Sequence, residues 1–204
     1  MLRTTFLNSR QQKLASAKER LCFMTWRQLV FVVGAGMALA GLGHLLGRAV
    51  HLVWPIPMSG SLAAALPRTV ILLAILLRIN RFGALTIVGI TEVSAKIAFG
   101  IGGYWPMALI VPLLSNITGD MIWFGLRQLP SRKMGLILSG GAISGIRALF
   151  ALTLWTVLPL SAMKSGGQLT MMMGCIFVIN IVLGISAGWL VGKSIKSKKG
   201  NISE

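Results

Sequence analysis

The chain alternates long apolar runs with short polar and basic segments. Six of these runs come close to the roughly 20 residues that an α-helix needs to cross the hydrocarbon core of a bilayer. Five of them cover residues 28–46, 61–79, 82–101, 134–158 and 169–191, and the remaining one follows the loop at 102–106 and ends near 126. The pattern predicts an all-α, polytopic membrane protein with about six transmembrane helices.

The apolar runs divide the chain into three segments. A basic N-terminal segment covers 1–27, the transmembrane domain covers 28–192 and a basic tail covers 193–204. Within 8–27, apolar side chains recur at helical spacing, which indicates either a helix on the inner membrane surface or a disordered cytoplasmic tail. This segment shows no secretory signal pattern.

The composition supports the membrane class. Of the 204 residues, 55% are hydrophobic and only 12% are charged, and the mean hydropathy is +0.80. Soluble domains carry about 25% charged residues. The length suits one domain.

The basic residues predict the orientation. The net charge of +16 does not indicate nucleic-acid binding, because the Lys and Arg side chains are spread between the apolar runs. Fifteen of the 20 fall in segments on one side of the predicted membrane, whereas only Arg48 and Lys164 fall in loops on the other. Because basic loops stay in the cytoplasm, both termini are expected to be cytoplasmic.

Ionisable side chains inside the predicted spans are candidates for function, because burying them in a bilayer is costly. Glu92 and Lys96 are four residues apart and are expected to pair on one helix face. The pair either fixes helix packing or lies beside a ligand or conduction path. Asp120 and Arg147 are a second potential pair, and Arg68 is expected near the outer end of its span, where it snorkels.

The first span contains many small residues. Gly34/Ala38 and Gly36/Ala40 are small-xxx-small pairs, which let another helix approach closely. They indicate either packing within the bundle or docking onto a separate membrane subunit.

The predicted outer side is rich in His, Met and aromatic residues. Such side chains form either an aromatic belt and adaptable packing or a cavity for a flat hydrophobic molecule. The two histidines would allow metal or haem ligation, but no spacing is diagnostic of such a site, so no metal ion and no cofactor is predicted. With the ionisable residues, the predicted substrate-binding set is His44, His51, Trp54, Glu92, Lys96, Tyr104, Trp105, Arg147, Trp155 and Met172.

Catalytic motifs are absent from the sequence. It contains no Walker motif, no HExxH, no CxxC and no nucleophile elbow. The chain is therefore predicted to be neither an enzyme nor an ATPase by itself.

The chain resembles the substrate-capture (S) components of energy-coupling factor transporters. The similarity lies in the six-span architecture, in the stretch from Gly83 to Phe124 and in the small-residue first helix. In that helix, Gly34/Ala38 and Gly36/Ala40 correspond to the AxxxA docking face of the family. Glycine replaces the first alanine in both pairs. The resemblance implies a bacterial cytoplasmic-membrane protein that captures a micronutrient from outside and works with a transmembrane coupling subunit and two cytoplasmic ATPases. The outer side chains favour an aromatic or hydrophobic substrate, such as a vitamin-like heterocycle or a tetrapyrrole such as haem.

Two other functions fit the sequence. A standalone carrier or channel would use Glu92, Lys96 and Asp120 along its path, and a structural subunit of a membrane complex would bind no small molecule.

Overall fold

The computed structural model describes residues 24–53, 59–100, 105–157 and 166–200. These residues form six α-helices and no strand. The helices are α1 (Trp26–Val53), α2 (Ser59–Ile79), α3 (Ala84–Ala98), α4 (Trp105–Leu126), α5 (Arg132–Val157) and α6 (Gly166–Gly200). All except α3 contain a stretch that is long and apolar enough to cross a membrane. The prediction of an all-α, polytopic membrane protein is confirmed.

Helix α3 is shorter than its predicted span. Its 15 residues extend about 22 Å, less than the roughly 30 Å of a bilayer core. Gly83 before the helix has φ +90° and Gly100 after it has φ +60°. Left-handed backbone at both positions ends the helical path, so 82–101 is not one continuous helix.

Two other helices are longer than predicted. The first predicted span ends at residue 46, but α1 continues to Val53 and includes Arg48 and His51. Helix α6 likewise runs on to Gly200, inside the predicted basic tail. Residues 1–23 of the predicted N-terminal segment lie outside the described residues.

The six helices pack as a closed ring. Helix α1 contacts α2 and α3, α4 lies between α3 and α5, and α6 lies between α5 and α2. Helix α2 also contacts α3 and α5, and it supplies the buried Leu72, Leu73 and Leu76 of the core. Arg68 and Thr69 on α2 are accordingly buried between helices, whereas Arg78 in its last turn is exposed.

Helices α5 and α6 are held closest together. Gly140 and Gly184 face each other, and a Cβ on either one would collide with the carbonyl of the other. Gly188 lies in the same way against the backbone of Leu136 and Ile137. Small residues allow this backbone contact, which replaces the hydrophobic effect as the source of helix association in a bilayer.

The basic loops gather at one end of the ring, because each helix returns the chain across the bundle. We call this the basic end, and its residues are Arg78, Arg81, Arg127, Arg132, Lys133 and Lys193. Several of these cations lie over aromatic rings, for example Arg78 over Phe31 at 4.8 Å. Positive loops predict that the basic end faces the cytoplasm.

Candidate functional site

A charged cluster lies in the interior between α2 and α3. Arg68 Nη1 donates a hydrogen bond to Glu92 Oε1 at 2.7 Å, and Lys96 Nζ donates to the same oxygen at 2.8 Å. The side chains are 5%, 1% and 14% exposed for Arg68, Glu92 and Lys96. We call these three residues the charged triad.

The triad confirms one prediction and corrects another. Glu92 and Lys96 pair at the expected spacing of four residues. Arg68 does not snorkel from the outer end of its helix. It lies near the middle of the 21-residue α2 and is buried, because the Glu92 carboxylate draws its guanidinium into the bundle. Arg68 was missing from the predicted site, although an arginine inside an apolar helix was a signal.

The charges of the triad do not balance. One carboxylate serves two cations, which leaves a formal positive charge in a region of low dielectric constant. Buried ions are tolerated only when their partners compensate the lost hydration. The triad is therefore suited to bind an additional anionic group.

A buried amide lies one helical turn from the triad. Asn116 of α4 is fully buried, and neither its Oδ1 nor its Nδ2 has a hydrogen-bond partner among the described residues. It packs against Gly89, where an added Cβ would lie 3.0 Å from Nδ2. Gly89 precedes Glu92 by three residues. Leaving a buried amide without partners costs about 1–3 kcal/mol per group, so Asn116 is a candidate ligand-binding residue.

Arg147 of α5 belongs to the same layer as Asn116. Gly119 of α4 contacts Ile143 of α5, and Asn116 and Arg147 each lie about one turn beyond this contact, away from the basic end. Arg147 Nη1 is buried, and no acceptor for it exists in the described part of the chain. This layer therefore contains one further cation, in addition to the two cations of the triad.

Asp120 does not pair with Arg147, contrary to expectation. Its carboxylate accepts hydrogen bonds from the backbone N–H of Leu85 at 3.1 Å, from that of Thr86 at 2.8 Å and from the Thr86 hydroxyl at 2.7 Å. Helix α3 begins after Gly83, which has no side chain to cap it. Asp120 supplies the cap from the neighbouring helix, so it stabilises the start of α3.

The remaining predicted binding residues that the structure describes lie on helix segments towards the end opposite the basic end. His44 is half-buried on α1, and His51 is in the last turn of that helix. Trp105 is the first residue of α4, Trp155 is in the last turn of α5, and Met172 is near the start of α6. Trp54 and Tyr104 lie outside the described residues, as do the side chains of His51, Trp105, Trp155 and Met172.

The predicted docking residues divide between two faces of α1. Gly36 and Ala40 are buried, and Gly36 packs against Thr91 of α3 so closely that an added Cβ would lie 2.7 Å from Thr91 Cβ. Gly34 and Ala38 are exposed. Positions two apart on a helix point about 200° apart, so the two pairs cannot share a face. The Gly36/Ala40 pair therefore packs within the bundle, which is the first of its two predicted roles, and it is not open to a partner, whereas Gly34/Ala38 is accessible.

Comparisons of the chain with protein-family models, with curated proteins and with solved structures find no match. The resemblance to S components stays a prediction from the sequence.

Proposed function

We propose that this chain is the substrate-binding subunit of a membrane importer of the energy-coupling factor type in a bacterial cytoplasmic membrane. The observation that carries the proposal is the charged triad, in which two cations share one carboxylate inside a helical bundle. Ionisable side chains within transmembrane helices usually face the bundle interior and mark substrate or ion pathways.

The triad favours a substrate that carries a carboxylate or phosphate. Lys96 is the member nearest the end opposite the basic end and is the most exposed of the three. A substrate entering from that end meets its ammonium group first. Lys96 then turns from Glu92 to the anionic group of the substrate, while Arg68 keeps the Glu92 carboxylate neutralised.

Arg147 and Asn116 complete the proposed site on the side of the triad that is nearer the basic end. Asn116 supplies a donor and an acceptor, and Arg147 Nη1 supplies a donor, none of which has a hydrogen-bond partner among the described residues. The predicted aromatic and methionine residues near the opposite end would cover the apolar part of the same molecule. A flat heterocycle with an acidic substituent meets both requirements.

The transport energy is proposed to come from partner subunits, because the sequence has no ATP-binding motif. A transmembrane coupling subunit would dock on the exposed face of α1 that includes Gly34 and Ala38. Two cytoplasmic ATPases would then act at the basic end.

The deciding experiment is a mild-detergent pull-down of the tagged chain from its native membrane, with mass spectrometry of the proteins and of the extracted small molecules. The expected result is a second membrane subunit, two ATPases and one enriched acidic compound. Recovery of the chain alone, together with substrate uptake by the chain alone in liposomes, would instead establish a solitary carrier.

A charge-matched pair of variants tests the site. Lys96→Gln is expected to lose the enriched compound while the partner proteins still co-purify. Arg48→Gln, which removes one positive charge from an exposed position of α1, should retain both. Equal retention of the compound by the two variants would contradict the role of the triad.

A further inference from the structure

A second polar site lies at the basic end, well separated from the charged triad. It is a cavity of about 550 Å³ next to the connection between α4 and α5. Its lining includes two guanidinium groups, Arg127 and Arg132, and two side-chain amides, Asn80 and Gln128. No carboxylate is among the described residues that line it, so the cavity is positively charged.

Trp123 points to a ligand in this cavity. The residue lines the cavity and is 6% exposed, and its indole Nε1 has no hydrogen-bond partner within the described ranges. Indole N–H groups inside proteins normally find an acceptor. Two cations, two amides and a donor without an acceptor together match the oxygen atoms of a phosphate group.

The surroundings indicate where such a phosphate would come from. The lining also contains the exposed Leu129, and the lipid-facing Met121 and Phe124 lie on the preceding turns of α4. Arg127 lies over the Phe124 ring at 3.8 Å, which holds its charge at the boundary between the apolar belt and the polar loop. Basic pockets between transmembrane helices at this depth suit lipid headgroups.

We propose that this cavity binds the phosphate of an anionic phospholipid in the inner leaflet. The headgroup phosphate occupies the space between Arg127, Arg132 and Trp123, and the acyl chains follow the exposed apolar side of α4. This assignment does not depend on the proposed transport function. Its consequence is that the loop between α4 and α5 is stabilised by the lipid around it.

The test uses the purified full chain in a neutral detergent and follows its unfolding temperature. Three probes are titrated separately: dihexanoyl phosphatidylglycerol, dihexanoyl phosphatidylcholine and inorganic phosphate. The expected result is a saturable rise in Tm with phosphatidylglycerol. The apparent affinities for phosphatidylcholine and for inorganic phosphate are expected to be at least five-fold weaker. An equal response to phosphatidylcholine, or no response to any probe, would overturn the proposal. An equal response to inorganic phosphate would assign the site to a free anion instead of a lipid.

Three variants locate the effect. Arg132→Gln and Trp123→Phe are each expected to weaken the apparent affinity for phosphatidylglycerol about five- to ten-fold. Trp123→Phe retains an aromatic ring and removes the N–H donor, so it serves even if Arg132→Gln folds poorly. Lys133→Gln is the matched control, because it removes the neighbouring exposed charge, which does not line the cavity. Equal weakening in Lys133→Gln and Arg132→Gln would show only a diffuse attraction of lipid to the basic end and would refute a defined site.

Discussion

Arg68 on α2 and Glu92 on α3 form a buried ion pair that joins two helices inside the bundle, with the Arg68 Nη1 donating to Glu92 Oε1 at 2.7 Å. Lys96 donates to the same oxygen from the next turn of α3. Removing Glu92 and removing Arg68 are expected to have different consequences. The carboxylate pairs with two cations, whereas each cation pairs with this one carboxylate among the described residues.

Glu92→Gln is expected to destabilise the protein more than Arg68→Met. The first change leaves two cations without a counter-charge, and breaking a buried pair in this way costs about 3–5 kcal/mol. The second change leaves Glu92 paired with Lys96 and should cost less. Unfolding of both variants by titration with a denaturing detergent would measure the difference. A larger loss in Arg68→Met would mean that Arg68 has a function in folding beyond its pairing with Glu92.

Asp120→Leu is expected to destabilise the start of α3. The variant loses the three hydrogen bonds that Leu85 and Thr86 donate to the carboxylate. Loss of a helix cap costs about 0.5–2 kcal/mol, and the buried N–H groups left without acceptors add to this.

Thr86→Val is the matched control for this cap. It removes only the hydroxyl donor and keeps both backbone N–H groups, so its effect on the free energy of unfolding should be smaller. Hydrogen exchange at the first turn of α3 would report the same order locally. If Thr86→Val destabilised the protein as much as Asp120→Leu, the backbone bonds would not be the source of the stabilisation.

Local sequence patterns were sufficient for the number and order of the helices and for one ion pair, but not for the bounds of α1, α3 and α6. The apolar runs predicted the six helices, and the spacing of four residues predicted the Glu92–Lys96 contact. The length of α3 was not predicted, because the apolar run continues over 82–101. Gly83 and Gly100, which both have positive φ, end the helix within this run.

Relationships between helices were not available from local patterns. Arg68 meets Glu92 only because α2 packs against α3, and Asp120 caps α3 only because α4 aligns Gly119 with Leu85. Such register depends on how all six helices pack. The division of the small residues of α1 between two faces, in contrast, follows from helix geometry alone and was predictable from the positions of Gly34 and Gly36.

Gly140→Ala is expected to disrupt the contact between α5 and α6. An added methyl group would collide with the carbonyl of Gly184, and backbone cannot move aside as a flexible side chain can. Overpacking of this kind costs about 1–3 kcal/mol or more. Gly174→Ala on α6 is the control, since no described atom lies within 4 Å of its added Cβ. This control should leave Tm unchanged or raise it slightly, because alanine favours a helix over glycine.

The two faces of α1 allow folding to be separated from docking. Ala38 is exposed and Ala40 is 1% exposed, although both belong to the small-residue pattern of the same helix. Ala38→Leu is expected to leave Tm unchanged and to abolish co-purification of a coupling subunit, because the larger side chain keeps the partner helix away. Ala40→Leu is expected to lower Tm by overpacking the interior of the bundle.

Thermal unfolding and pull-down of the two variants, carried out on the same preparations, distinguish the possibilities. Loss of partner subunits in Ala38→Leu with normal Tm would support docking on the exposed face of α1. Unaffected co-purification in a stable Ala38→Leu variant would exclude the exposed face of α1 as the docking surface. Any partner subunit would then bind elsewhere on the bundle.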